Sequence, residues 1–201
     1  MTADTYCYSI EDRLYINLTD RCTLDCDFCP KTHDIYRVHQ HDLRLGHLPD
    51  LDELLMVIPD LSDYREVVFC GFGEPTLRLK ILLQLAGRIR QDQDIVIRLN
   101  TDGLGSLVNK RNIVPELAQC INAVSVSMNA QNEVVYHRHC RPAMAGSYAA
   151  MLEFLAEARR YIPEVTATAI NGLEGVDIEA CKAQAEQLGV GFRARELDLI
   201  G

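Results

Sequence analysis

Six short runs of apolar and β-branched residues punctuate the chain at 14–18, 67–70, 95–99, 123–128, 165–170 and 191–195. Amphipathic stretches at 51–61, 77–90, 114–121, 147–161 and 178–188 lie between them. In the second of these, Ile81, Leu82, Leu85 and Ile89 fall on one face at helical spacing. Ser147 is the expected N-cap of its helix and Gly189 the expected stop of the last one. Strand and helix in alternation specify a parallel sheet, because a strand can return to the same end of its neighbour only by a crossover. A closed eight-stranded barrel takes about 250 residues. Six units in 201 residues imply a partial (β/α)6 barrel forming a single domain over 1–201, with an open doubly wound sheet as the competing topology.

Alternation inside the runs says what such a barrel encloses. Side chains two apart on a strand share a face. That places Ser125, Ser127 and Asn129 together, opposite Val124, Val126 and Met128, and pairs Arg98 with Asn100, Thr166 with Thr168, Arg193 with Arg195, and Asn17 with Thr19. Ordinary eight-stranded barrels are filled with Val, Ile and Leu. A polar inner face on strand after strand implies a polar ligand, unless those faces lie at sheet edges in water.

Charge and cysteine content narrow the function. The formal net charge of −9 argues against a non-specific nucleic-acid binder, which needs a phosphate-neutralising field. No apolar run is long enough to span a bilayer, and the first residues lack a basic and apolar leader pattern, so a cytoplasmic protein is expected. Eight cysteines in such a chain read as thiols or metal ligands rather than a disulfide framework.

Three of them, Cys22, Cys26 and Cys29, stand in C-x₃-C-x₂-C spacing directly after the first strand. Cysteine thiolates hold iron–sulfur clusters, normally four to a cube, so three close thiols would leave one iron open to a small molecule. A zinc knuckle with His33 or another residue as fourth ligand is the alternative. At the end of the second strand stands Cys70-Gly71-Phe72-Gly73-Glu74-Pro75. Glycines admit close approach of the backbone, Pro75 suits a first helical turn, and Glu74 is placed to accept from an ammonium. Asn100-Thr101-Asp102-Gly103 ends the third strand, and Ser125 to Asn129 ends the fourth.

Taken together, in this order on successive strands, the cysteine triplet and the Gly-x-Gly-Glu-Pro turn resemble the radical S-adenosylmethionine (SAM) superfamily. The departure is Phe72, which stands where the family has the first glycine of a Gly-Gly-Glu turn. The resemblance implies that Cys22, Cys26 and Cys29 hold a 4Fe–4S cluster, and that Gly71, Gly73 and Glu74 meet the methionine end of SAM. Asn100, Thr101, Ser127 and Asn129 would hold its ribose and carboxylate, with Phe28 near adenine. It further implies reductive cleavage of SAM to a 5′-deoxyadenosyl radical, and a low-potential electron donor of flavodoxin or ferredoxin type. The stretches 15–19, 70–77, 98–105 and 124–130 look most like the small TatD-associated radical family, with activases of glycyl-radical enzymes as the near alternative. The first would add a TatD-type hydrolase as partner. A non-catalytic module stabilised by zinc or a cluster is the competing class.

Other residues are less specific. His33, His39, His41 and His47 fall in one segment, 31–49, which reads as a lid or substrate loop before it reads as a metal site. The stretch 137–142 reads as a loop after the fourth strand. Its Cys140 is the candidate thiol hydrogen donor or acceptor, weighed against a plain loop cysteine. Cys7, Cys70, Cys120 and Cys181 read as small buried residues. The six units leave little chain to cover a reactive site, so the substrate is expected to be macromolecular or enclosed by a partner.

Overall fold

The computed structural model describes residues 4–197, so the outermost ends of the expected 1–201 domain lie outside the described residues. The chain opens with a hairpin of β1 (Cys7–Ile10) and β2 (Arg13–Ile16), followed by the small ribbon β3 (Arg37–Val38) and β4 (His41–Asp42). Then come α1 (Leu51–Val57), β5 (Glu66–Phe69), α2 (Leu79–Asp92) and β6 (Val96–Thr101). Two short helices, α3 (Gly105–Val108) and α4 (Val114–Leu117), lead to β7 (Ala123–Ser127), α5 (Glu133–Cys140) and α6 (Ser147–Tyr161). The last elements are β8 (Glu164–Asn171), α7 (Ile178–Gln187) and β9 (Gly191–Glu196).

The main sheet has seven strands in the order β1-β2-β5-β6-β7-β8-β9. All neighbours from β2 to β9 are parallel, in sequence order, and only β1 is antiparallel. Sequential parallel order is that of a barrel, not of a doubly wound sheet whose strand order reverses. With β1 and β9 unpaired to each other, the barrel is partial and open along one side.

The two faces divide as the alternation predicts. Leu14, Ile16, Val67, Phe69, Ile97, Leu99, Val124 and Val126 are buried against the helices, joined by Leu82, Leu85, Met151 and Leu155 from α2 and α6. The other face turns inward and is polar. At its lower end an ion-pair ladder runs across four strands: Arg13 Nε to Glu66 Oε1 at 2.7 Å, Arg98 Nε to Glu66 Oε2 at 3.0 Å, and Arg98 Nη1 to Glu164 Oε1 at 3.1 Å. This ladder stands at the start of the strands and leaves the end where they terminate for the site. Arg98 thus serves the floor, whereas its face-mate Asn100 reaches the cavity above.

Local chemistry explains where the sequence reading and the structure part. The N-cap of α6 is Gly146, not Ser147; Ser147 is already helical and its hydroxyl donates back to the Met144 carbonyl at 2.8 Å. Gly189 does follow the end of α7, in a left-handed conformation with φ of 70°. The stretch expected as a loop at 137–142 is mostly helix α5. Asn132 caps it by accepting from the Val135 amide at 3.0 Å, and Arg141 ends it in a left-handed turn. Its two adjacent valines and few apolar partners gave no helical period to read. The hairpin strand β1 was also not foreseen. Among the described residues, no helix is long and apolar enough to cross a membrane.

Candidate active site at the open end of the barrel

A cavity of about 580 Å³ opens where the strands end. Cys22, Cys26 and Cys29 line it, and so do Phe28, Gly71, Gly73, Glu74, Asn100, Thr101, Ser127 and Asn129. The topology therefore brings every residue singled out from the motifs to one place. Cys70 lines it too, correcting the expectation of a plain buried cysteine, as do Tyr8 and Tyr15 from the hairpin. Cys140 does not line the cavity. It is 0% exposed at the end of α5 and faces the back of the cysteine loop.

That loop is gripped from two sides. From α5, the Asp25 amide donates to the Cys140 carbonyl at 3.1 Å and the Asp27 amide to the His139 carbonyl at 2.9 Å. The His139 ring is buried between the Asp27 carboxylate, 3.0 Å from Nδ1, and the Glu174 carbonyl, 2.8 Å from Nε2. From the β5 turn, the Glu74 amide donates to the Arg21 carbonyl at 2.8 Å. This close approach is why residues 71 and 73 are glycine. A Cβ on Gly73 would lie 2.6 Å from the Arg21 carbonyl oxygen and closer still to that of Thr19; one on Gly71 would lie 2.5 Å from Asn17 Oδ1. Neither glycine has a left-handed φ, so close packing, not backbone freedom, is the requirement. Phe72 between them packs into a small cluster with Tyr8, Val38 and Leu43 on one side of the cavity. Gly73→Ala is accordingly expected to cost about 1–3 kcal/mol by overpacking against backbone that cannot give. It should also lower iron retention; an unchanged melting temperature and iron content would show that the loop can yield.

Glu74 caps the short helical turn that starts at Pro75, and its carboxylate is the most heavily bonded group in the cavity. Oε1 accepts from the Thr76 amide at 2.9 Å, the Thr76 hydroxyl at 2.6 Å and the Thr101 hydroxyl at 2.9 Å; Oε2 accepts from the Asp102 amide at 2.7 Å. Burial and the neighbouring Asp102 carboxylate nevertheless push the Glu74 carboxyl up to about 8. Burial likewise raises Asp102, which accepts from the Thr23 hydroxyl between the first two cysteines. Two buried carboxylates side by side favour an arriving cation. Asp102 was not among the sequence candidates, although it lies inside the Asn100 to Gly103 string that carried two of them.

The three thiols line this cavity together. All are free and half-buried. Burial pushes Cys22 up to about 12, and the adjacent Cys140 thiol followed by burial raises Cys26. Thiols held this way ionise when bound iron supplies the opposing charge. The buried Asn100 Oδ1 has no partner in the structure and offers an acceptor to a ligand. Among the described residues, no three His, Cys, Asp or Glu side chains gather around one point as a mononuclear zinc site requires. His33 faces the Asp27 carbonyl at 3.3 Å instead. The other histidines of the segment also disperse: His39 sits at the β3–β4 turn, His41 packs on the Tyr8 ring, and His47 meets the Tyr6 hydroxyl and Glu53. Val38 and Leu43 of the segment line the cavity.

The model of the Radical SAM superfamily matches residues 16–187. No curated protein matches the sequence. Solved structures share the fold at low identity. TYW1 with a lysine-pyruvate adduct bound is 12% identical with a TM-score of 0.63, and the match covers 92% of this chain and 65% of that one. The FeFe-hydrogenase maturase HydG from Carboxydothermus hydrogenoformans is 18% identical with a TM-score of 0.66, covering 92% and 44%. SuiB from Streptococcus suis, bound to S-adenosylmethionine, is 15% identical with a TM-score of 0.63, covering 92% and 38%. The chain thus spans 65% of the first and less than half of the other two.

Proposed function

The chain belongs to the radical SAM superfamily, and from that premise we propose that Cys22, Cys26 and Cys29 hold a 4Fe–4S cluster beside a SAM site in the same cavity. The observation that carries this reading is the convergence of the three thiols and the Glu74–Asp102 pair in one cavity. Held by these three thiols, the cluster would supply the single electron for reductive cleavage of SAM, the chemistry from which hydrogen abstraction on a substrate would start.

The chain's own residues bind, orient and shield. Glu74, with Asp102 behind it, accepts from the methionine ammonium in place of the proton that burial favours there. Asn100, Thr101, Ser127 and Asn129 offer the polar contacts for ribose and carboxylate, and Phe28 offers an apolar face for adenine. Gly71 and Gly73 keep the turn low enough for the ligand to reach Glu74. Phe72, Val38 and Leu43 keep water from one side of the cavity.

The other side is the gap between β1 and β9, where Arg193 and Arg195 line the opening. A radical needs that side closed. This supports a macromolecular substrate or a partner that completes the wall, and the finer resemblance names a TatD-type hydrolase as the first partner to test. Radical SAM enzymes in general draw on an electron donor, here proposed to be of flavodoxin or ferredoxin type.

Anaerobic reconstitution tests the reading. A brown protein with about four iron and four sulfide per chain is expected, forming 5′-deoxyadenosine slowly on reduction with SAM and faster once the partner or substrate is added. A colourless protein holding about one zinc per chain, or a full cluster that leaves SAM intact, would reject it.

A further inference from the structure

The cavity is not uniform in charge. Beside the cysteine loop stand the buried Glu74 and Asp102 carboxylates. Among the described residues, the only cationic side chains that line the cavity are Arg193 and Arg195, from β9 at the open edge. Their neighbour Phe192 packs on the helix-side core, so alternation along the strand turns both arginines inward. Register fixes what stands beside them. Thr168 of β8 pairs with Arg193 on one side and with Ser127 of β7 on the other, which sets two hydroxyls and a guanidinium in one row along the cavity wall. Thr168 is buried, and its hydroxyl makes only a long bond of 3.4 Å to the Val126 carbonyl, so it is free to turn to a closer acceptor. Arg195 follows nearer the rim, beside Ile170. The other inward arginines are already engaged, Arg13 by Glu66 and Arg98 by Glu66 and Glu164. Among the described residues, Arg193 and Arg195 make no ion pair. Glu196, next along the strand, accepts from Asn171 Nδ2 at 3.2 Å instead.

We propose that Arg193 and Arg195, with Thr168 beside them, bind an oxyanion group of the substrate, a phosphate or a carboxylate, and so orient the substrate in the cavity. The proposal rests on the reading of the cavity as the SAM site. On that reading the carboxylates beside the cysteine loop take the ammonium of SAM, and the cationic wall at the far end of the sheet is left for a group of opposite charge. Arginine presents a planar fork of donors that meets a carboxylate or phosphate two bonds at a time. Two such forks on one inward face, with a hydroxyl in the same row, make a receptor of that shape. The wall borders the gap between β1 and β9, so the group enters from the open side with SAM already in place. The chain as a whole carries a net charge of −9 and does not attract anions in general. Two cations gathered on this face are therefore a local feature of the cavity and not part of a basic surface.

The test is calorimetric titration of the reconstituted, oxidised, SAM-loaded chain with inorganic phosphate and, separately, with acetate. At least one of the two anions should bind saturably, and the tighter of them assigns the group the substrate carries. Arg193→Gln and Arg195→Gln should each weaken that binding by about tenfold or more, the loss of one charged hydrogen bond. Arg193→Lys and Arg195→Lys keep the charge and lose the fork, so they should fall between wild type and glutamine, and they decide the matter if a glutamine variant does not fold. Arg88→Gln, which removes the same charge from an exposed position on α2, should leave the affinity unchanged. Titration with SAM should give the wild-type affinity in every variant. No saturable binding of either anion to the wild type overturns the proposal. So does an affinity that survives the β9 substitutions, or one that falls equally in Arg88→Gln. A matching loss of SAM affinity in the β9 variants overturns it too, because the arginines would then hold the carboxylate of SAM itself. A wild-type protein that assembles no cluster overturns the underlying reading and the proposal with it, an outcome distinct from a full cluster beside which no anion binds.

Discussion

Replacing Cys22, Cys26 or Cys29 with alanine is expected to leave the reconstituted protein without a stable cluster, and so without any SAM cleavage. Each substitution removes one of three protein ligands from a cube that already lacks a fourth, and two remaining thiols do not hold it. The three positions lie half-buried at one end of the cavity, so the apo fold should lose little when a sulfur is removed. Far-ultraviolet circular dichroism should therefore stay close to wild type while iron content falls. Cys7→Ala and Cys181→Ala are the controls. Cys7 Sγ donates to the Val57 carbonyl at 3.1 Å on the outside of the sheet, and Cys181 is buried in α7, both away from the cavity. Iron and sulfide analysis decides the matter: full iron in a triplet variant, or an emptied site in a control, would refute the ligand assignment.

Glu74→Ala should give the second-largest effect, with a different signature. The cluster is expected to assemble, because Glu74 is not a thiol donor and its backbone link to Arg21 survives the substitution. Binding of SAM should weaken by about 10- to 150-fold, which is the loss of a charged hydrogen bond worth about 1.5–3 kcal/mol. The cluster-free protein should also melt lower. The substitution leaves the Thr76 and Asp102 amides and the Thr101 hydroxyl buried without their acceptor, at about 1–3 kcal/mol for each group left unsatisfied. Titrating SAM into the reconstituted variant measures the first effect, and thermal unfolding of the apo form the second. Unchanged affinity beside a lowered melting temperature would make Glu74 a purely structural residue of the β5 turn.

The sequence by itself determined what repeats over short distances. Six parallel strands, the helices between them and the division of each strand into an apolar and a polar face all follow from periods of two and 3.6 residues, which depend only on neighbours along the chain. The order of motifs on successive strands was legible for the same reason, since a parallel barrel places every strand end at one rim. That is why eleven positions named from motifs line one cavity.

Only the tertiary structure decided the rest. The apolar hairpin strand β1, the ion-pair floor of Arg13, Glu66, Arg98 and Glu164, and the entry of Cys70 into the cavity each join residues from different strands. The need for glycine at 73 comes from carbonyls of the cysteine loop more than fifty positions away, not from a turn the local sequence announces. The pairing of Cys26 with Cys140 spans 114 positions. It exists because α5, itself unreadable from its period, folds its last turn against the loop. Such contacts are set by how the sheet curves and closes, and curvature is a property of all the strands at once, so no local pattern encodes it.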